Sequence, residues 1–205
     1  MIETERLTLR RLERTDEDDL LVYQSDPDVV RYIPWPVRTR ELVREALAKA
    51  VTQTRISESG DHLDLAIVLK TSGRVIGQCN LGVISKDDKQ GEIGYVVSPA
   101  FARQGFATEA ARAVVEYGFT MVDLHRITAR IDTRNPASAA VAAKLGMRRE
   151  AEFIEAEFFK GEWSSAWVYA CLRADWMTPG TERRAGALGR TRRTVSGIES
   201  RRLAE

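Results

Sequence analysis

Residues 92–110, Glu92-Ile-Gly-Tyr-Val-Val-Ser-Pro-Ala-Phe-Ala-Arg-Gln-Gly-Phe-Ala-Thr-Glu-Ala110, decide the reading of this chain. An apolar strand runs into a proline turn, then a loop with one glycine, Gly105, then an alanine-rich helical run. That order leaves backbone N–H groups free at a helix N-terminus just past the end of a strand. Free donors and the positive end of a helix dipole together suit a phosphate.

Working outward, the helix after Gly105 is expected to pack through Ala107, Ala111, Val114, Val115, Gly118 and Val122, small enough to approach a sheet closely. Upstream, apolar runs at 63–70, 75–84 and 92–97 read as three strands. Thr71-Ser72-Gly73 turns the first pair and the polar segment 86–90 the second. Alternation over 4–12 predicts a first strand with Leu7 and Leu9 on one face. Thr15 caps a helix through Gln24, and Ser25-Asp26-Pro27 opens a short helix stopped by Pro34-Trp35-Pro36. Thr39 opens an amphipathic helix with Leu42, Val43, Ala46, Leu47, Ala50 and Val51 on one stripe, fraying before Gly60. Downstream, 127–133 reads as a strand, 135–145 as a helix, and 150–159 with 163–173 as a hairpin around Lys160-Gly161. The order β-α-α-α-β-β-β-α-β-α-β-β defines an α/β (α+β) mixed sheet.

Composition narrows the function classes. The chain has 205 residues, 43% hydrophobic and 30% charged, the profile of an ordinary soluble domain. A formal net charge of +1 gives no reason to expect nucleic acid or a membrane surface as partner. Cys79 and Cys171 lack a C-x-x-C spacing and read as buried thiols. No His/Cys/Asp/Glu grouping has metal-ligand spacing. The charged opening (Glu3, Glu5, Arg6, Arg10) is unlike a signal peptide, and no apolar run approaches the ~20 residues of a membrane span, so a cytoplasmic protein is expected. The domain is read as 1–177. From 178 to 205 arginines alternate with Gly, Ser and Thr, and large apolar residues nearly vanish, so this tail is expected to be disordered.

The loop Arg103-Gln-Gly-Phe-Ala107 resembles motif A of the GNAT acetyltransferase superfamily, Gln/Arg-x-x-Gly-x-Gly/Ala, with Gly105 and Ala107 in the last two slots. Ala102 stands where Gln or Arg is usual. Asn135-Pro-Ala-Ser138 followed by Lys144-Leu-Gly146 resembles a signature of the RimJ/RimL-type branch, whose members acetylate protein N-terminal amines or small amines; Met147 replaces the usual Phe. The segments Glu3-Thr-Glu-Arg-Leu-Thr-Leu-Arg10 and Gly161-Glu-Trp163 look like that branch's first and last strands, so the resemblance spans about 2–175 in order. It implies the GNAT fold, a mixed, mostly antiparallel sheet of about seven strands flanked by helices.

The same resemblance implies site roles. Arg103, Gln104, Gly105, Phe106, Ala107 and Thr108 would hold the pyrophosphate of acetyl-CoA, and the strand edge at Tyr95, Val96 and Val97 its amide arm. Asn135 reads both as the N-cap before Pro136 and as a cofactor contact; Ser138 is assigned near the thioester. An α-amine with a pKa near ~8 needs less base assistance than a lysine at ~10.4. Glu92 is the first candidate base, with Glu155 and Glu157 as rivals, and Ser138 is the candidate donor to the leaving thiol. The N–H of Val97 is a candidate oxyanion donor. Tyr32, Trp35 and Glu155 are assigned to the acceptor cleft, while His62 and His125 read as structural. The expected activity is direct acetyl transfer from acetyl-CoA to a primary amine, a protein or peptide N-terminus first, without metal. A small-amine or antibiotic acetyltransferase and a non-catalytic CoA-binding module are the alternatives. The sequence does not decide between a monomer and a homodimer.

Overall fold

One eight-stranded sheet organises the computed structural model, which describes residues 1–53 and 56–178. Its strands are β1 (Ile2–Glu3), β2 (Leu7–Arg11), β3 (His62–Leu69), β4 (Val75–Ser85), β5 (Gln90–Val97), β6 (Arg126–Asp132), β7 (Arg148–Phe159) and β8 (Glu162–Leu172). They lie in the order β1-β2-β3-β4-β5-β6-β8-β7. The helices are α1 (Glu17–Gln24), α2 (Pro27–Val30), α3 (Arg40–Ala50), α4 (Phe106–Thr120), α5 (Pro136–Lys144) and α6 (Arg173–Met177). Neighbouring strands are antiparallel except β5 and β6, which run parallel. A parallel pair needs a crossover, and α4 supplies it.

Local chemistry sets the element ends. Gly73 takes φ +67° and returns its N–H to the Leu69 carbonyl at 2.8 Å, closing the β3–β4 turn. Asp26 caps α2 by accepting from the Asp28 N–H at 2.9 Å, with Pro27 in the first helical turn. Asn135 caps α5 in the same way, accepting from the Ser138 N–H at 3.0 Å.

The sheet buries both faces. Leu7, Leu9, Ile67, Leu81, Ile93 and Ile127 pack with Val114, Val115 and Phe119 of α4. Across the sheet, Ala66, Val68 and Val75 meet Leu20, Tyr23, Val43 and Leu47. Fully burying one such Leu or Val side chain is worth roughly 1.5–3 kcal/mol. Gly118 lets α4 approach closely: a Cβ there would stand 2.8 Å from Ile127 Cδ1. α6 packs its Trp176 ring 5.9 Å from Phe119.

Several expectations need correction. The two-residue strand β1 and the terminal helix α6 add to the seven strands and five helices read from the sequence. On α3 only Val43 and Leu47 are buried, and Leu42 is 38% exposed, because the helix meets the domain along a narrower stripe than its apolar pattern spans. Ala107 lines a cleft instead of packing on the sheet, and Phe106, Ala110 and Phe119 are buried in its place. The arginine-rich tail lies, beyond Thr178, outside the described residues. Among the described residues no helix is long and apolar enough to cross a membrane.

Candidate active site

The parallel pairing of β5 and β6 stops early. It joins Gln90 to Arg126, Gly91 to Ile127 and Glu92 to Thr128, after which β5 continues beside β4 and β6 beside β8. The sheet therefore splits, and a cleft of about 970 Å³ occupies the opening. The Ser98 N–H donates to the Ile76 carbonyl at 2.8 Å, toward β4. Because backbone groups alternate along a strand, Val96 and Gly94 also turn theirs to β4. Val97 and Tyr95, beyond the last β5–β6 pair, present theirs to the opening, as an unpaired edge.

Side chains alternate as well, so the two faces of the split differ. Tyr95 points to the α5 side, where its hydroxyl donates to the Ser138 carbonyl at 2.8 Å. Gln78, opposite Val96 in the β4–β5 register, points to the α1 side. Glu92 shares the parity of Val96 and so belongs to the α1 side.

On the α4 side, Arg103 (φ +61°) and Gly105 (φ +84°) bend the chain into the helix. The Gly105 carbonyl accepts the first helical bond, from the Glu109 N–H at 3.0 Å. Among the described residues no side chain caps this end. The N–H groups of Phe106, Ala107 and Thr108 thus stand at the positive end of a 15-residue helix, beside the open edge of β5. Arg6 braces the loop from behind. It donates to the Gln104 carbonyl at 2.9 Å, pairs with Glu109 at 2.6 Å and lies 4.3 Å over the Phe106 ring. Burial pushes the Glu109 carboxyl up, but hydrogen bonds from Thr4 and Arg6 outweigh it and hold the group below the usual carboxylate range. The sequence reading missed Arg6, since nothing local links it to a loop about a hundred residues away.

On the α1 side, Glu92 is half-buried and makes no ion pair within 4 Å among the described residues. Burial raises its pKa; Arg130 opposes that shift and Glu157 adds to it. Arg130 binds Glu157 at 2.8 Å. Tyr32 and Trp35 line this side, with the Arg38 guanidinium 4.6 Å over the Trp35 ring. The tip of the β7–β8 hairpin closes over it, Lys160 donating to the Val30 carbonyl at the end of α2.

Most assigned residues meet here: Glu92, Tyr95, Val96, Val97, Arg103, Gly105, Phe106, Ala107, Thr108, Asn135, Ser138, Tyr32 and Trp35 all line the cleft. Gln104 and Glu155 do not. Gln104 turns its side chain to the Ala100 carbonyl and gives its own carbonyl to Arg6. Glu155 is displaced by a bulge. β7 pairs Phe153 with Ala166 and then Glu157 with Ser164, four residues against two. Regular pairing would have put Glu155 opposite Ser164; instead it sits at φ +45° with its N–H on Ser165 Oγ, and Glu157 takes the cleft position. The backbone N–H of His125 donates to the Lys89 carbonyl at 2.7 Å, His62 lies 3.6 Å from Asp64, and neither histidine lines the cleft. Cys79 and Cys171 are free and buried, and burial pushes the Cys79 thiol far up. Asn135 spends its side-chain oxygen on the Ser138 N–H, so its capping role is realised here.

Residues 6–148 match the family model of the acetyltransferase (GNAT) domain. An uncharacterised N-acetyltransferase of Bacillus subtilis, YnaD, is 34% identical over 178 residues, covering 85% of this chain and 98% of its own. The crystal structure of an acetyltransferase (GNAT family) from Bacillus anthracis is similar with a TM-score of 0.76 at 32% identity, over 84% of this chain and 98% of that one. Spermidine N(1)-acetyltransferase of Escherichia coli is 26% identical over 177 residues, 84% of this chain and 91% of its own.

Proposed function

The chain belongs to the acetyltransferase (GNAT) family, and from that premise we propose that it moves the acetyl group of acetyl-CoA directly onto the α-amine of a peptide or protein N-terminus, as a RimJ/RimL-like enzyme. One observation carries this reading. The split between β5 and β6 joins an uncapped helix N-terminus on one side of the sheet to a carboxylate of raised pKa on the other.

The residues present fit the donor. The N–H groups of Phe106, Ala107 and Thr108 suit its pyrophosphate, Arg103 adds positive charge, and the free edge at Tyr95 and Val97 suits its amide arm. Acetyl-CoA supplies an activated acetyl thioester. Glu92 then takes the proton that the acceptor amine must lose, directly or through water. Its raised pKa brings it closer to the amine's and makes proton transfer less uphill. The Val97 N–H faces the opening, where a developing oxyanion needs a donor. Ser138 Oγ is placed to donate a hydrogen bond to the departing thiolate, which takes up the second proton that the acceptor nitrogen loses as the amide forms. A covalent route would need an activated nucleophile, and the two cysteines are buried with Cys79 held as thiol.

A second reading, acetylation of a polyamine, is supported by the likeness to the spermidine enzyme and by four carboxylates in the cleft, Asp28, Glu92, Asp132 and Glu157. Thiol release from acetyl-CoA against a peptide panel and a polyamine panel separates the two. Turnover of peptides with free but not blocked N-termini is expected. Turnover confined to polyamines would favour the second reading, and CoA binding without turnover of either would leave only a binding module.

A further inference from the structure

Gln78 lies on β4 with 8% of its surface exposed, and it lines the α1 side of the cleft. Its Oε1 accepts from the Tyr23 hydroxyl at 3.0 Å and from Gln24 Nε2 at 2.7 Å. The orientation of both amides is dictated one step further away. Arg38 Nη1 donates to Gln24 Oε1 at 2.7 Å, and a guanidinium only donates. Gln24 must therefore turn its oxygen to Arg38 and its NH2 group to Gln78. Gln78 must answer with its own oxygen, because two NH2 groups facing each other have no acceptor between them. Arg38 is itself fixed by its backbone N–H on the Gln24 carbonyl at 3.0 Å and by its stacking on Trp35. The relay leaves Gln78 Nε2 with two N–H groups for which no described residue is an acceptor.

We propose that Gln78 is a specificity residue whose amide N–H groups receive the carbonyl oxygen next to the acceptor amine, selecting peptide-like amines over alkyl polyamines. The proposal rests on the reading of this cleft as an amine-acceptor site. These donors face the cleft, where an acceptor that covers them without offering an oxygen strips them of water at a cost, and a site built to hydrogen-bond a substrate group discriminates strongly against an analogue that lacks it. A peptide N-terminus carries that carbonyl two bonds from its nitrogen. A polyamine carries only nitrogen and methylene, and leaves the donors unpaired.

Gln78→Glu tests this with little change of shape. It keeps an oxygen for Tyr23 and Gln24 but replaces the cleft-facing NH2 with a second oxygen. Wild type and variant are compared at one pH for a short peptide with a free α-amine and for a linear polyamine, so that differences in amine basicity cancel. The expected result is a drop of about tenfold in the ratio of kcat/KM for peptide over polyamine, the equivalent of one lost hydrogen bond, seen mainly in KM. Tyr23→Phe removes one of the two anchors of the amide oxygen without touching the cleft; it should move the ratio the same way by about twofold, and it carries the test if thermal unfolding shows that Gln78→Glu folds poorly. An unchanged ratio in a folded Gln78→Glu, with both acceptors slowed equally, would overturn the proposal and leave Gln78 a structural residue. Wild-type protein that binds CoA yet turns over neither acceptor overturns instead the reading beneath it, before any variant is made.

Discussion

The two sides of the split sheet are built by different means. The α4 side offers backbone: the N–H groups of Phe106, Ala107 and Thr108 and the bare edge of β5, both set by a contiguous stretch from Glu92 to Thr108. The α1 side offers side chains brought from afar, with Glu92 on β5, Gln78 on β4, Trp35 before α3 and Glu157 on β7. A group common to every reaction of a family can be held by main chain, which substitution barely alters. The acceptor has to be distinguished by side chains, and these reach the cleft through registers, relays and a bulge. This difference predicts that damage to the α4 side shows in CoA binding and damage to the α1 side in turnover or acceptor choice.

The largest effect is expected at Glu92. Glu92→Gln should lower kcat/KM by about a hundredfold at neutral pH, the scale of a lost general base, while CoA affinity stays as in the wild type. The wild-type rate should rise through a Glu92 midpoint above the ordinary carboxylate value of 4.5, because the base must be ionised and burial opposes ionisation. Glu92→Gln should lose that limb in a pH–rate profile. Stability has the opposite sign. A carboxyl whose folded pKa is raised holds its proton more tightly when folded, so its cost is full above the folded pKa and vanishes below the unfolded one. The melting temperature of Glu92→Gln should therefore exceed the wild type's near pH 8 and converge with it near pH 4.

Arg6 gives a smaller effect on the other side. Arg6→Ala removes the bond to the Gln104 carbonyl, the Glu109 pair and the Phe106 stack together. Arg6 is partly exposed, so about 1 kcal/mol of stability and roughly fivefold in CoA affinity are expected, measured by thermal unfolding and calorimetry. Acceptor KM should not move. The smallest effect belongs to Lys160→Met, which frees the hairpin tip from Val30. Acceptor KM should rise about twofold, with CoA affinity constant, the cost of one partly buried hydrogen bond. If Arg6→Ala altered acceptor choice, or Lys160→Met altered CoA binding, the division between the two sides would fail.

The same division explains what was legible in the sequence. Seven of the eight strands, the crossover helix and the residues around Gly105 were read from alternation, turn residues and a single loop, all local signals. They gave a mixed sheet; the resemblance carried by that loop and by Asn135–Gly146 implied the GNAT fold, which the family match and the structural likeness establish. Glu155 shows how the local signal fails: strand parity puts it opposite Ser164, and the bulge hands that place to Glu157. Nothing in the residues from Phe153 to Glu157 marks a bulge, because no glycine supplies the positive φ and Glu155 adopts it. Gln78 and Arg6 were passed over for another reason. Each owes its place to partners 55, 54 and 103 positions away, and such pairings are fixed only once the sheet has closed.

A titration of CoA into Gly105→Val beside the wild type probes the donor site at its turn. Valine cannot adopt φ +84° without strain, so the turn that aims the α4 N–H groups must open. The prediction is CoA binding weakened on the order of a hundredfold in a variant whose circular dichroism and melting remain cooperative. Wild-type affinity in that variant would contradict the claim that the helix N-terminus beside the split sheet holds the acetyl donor.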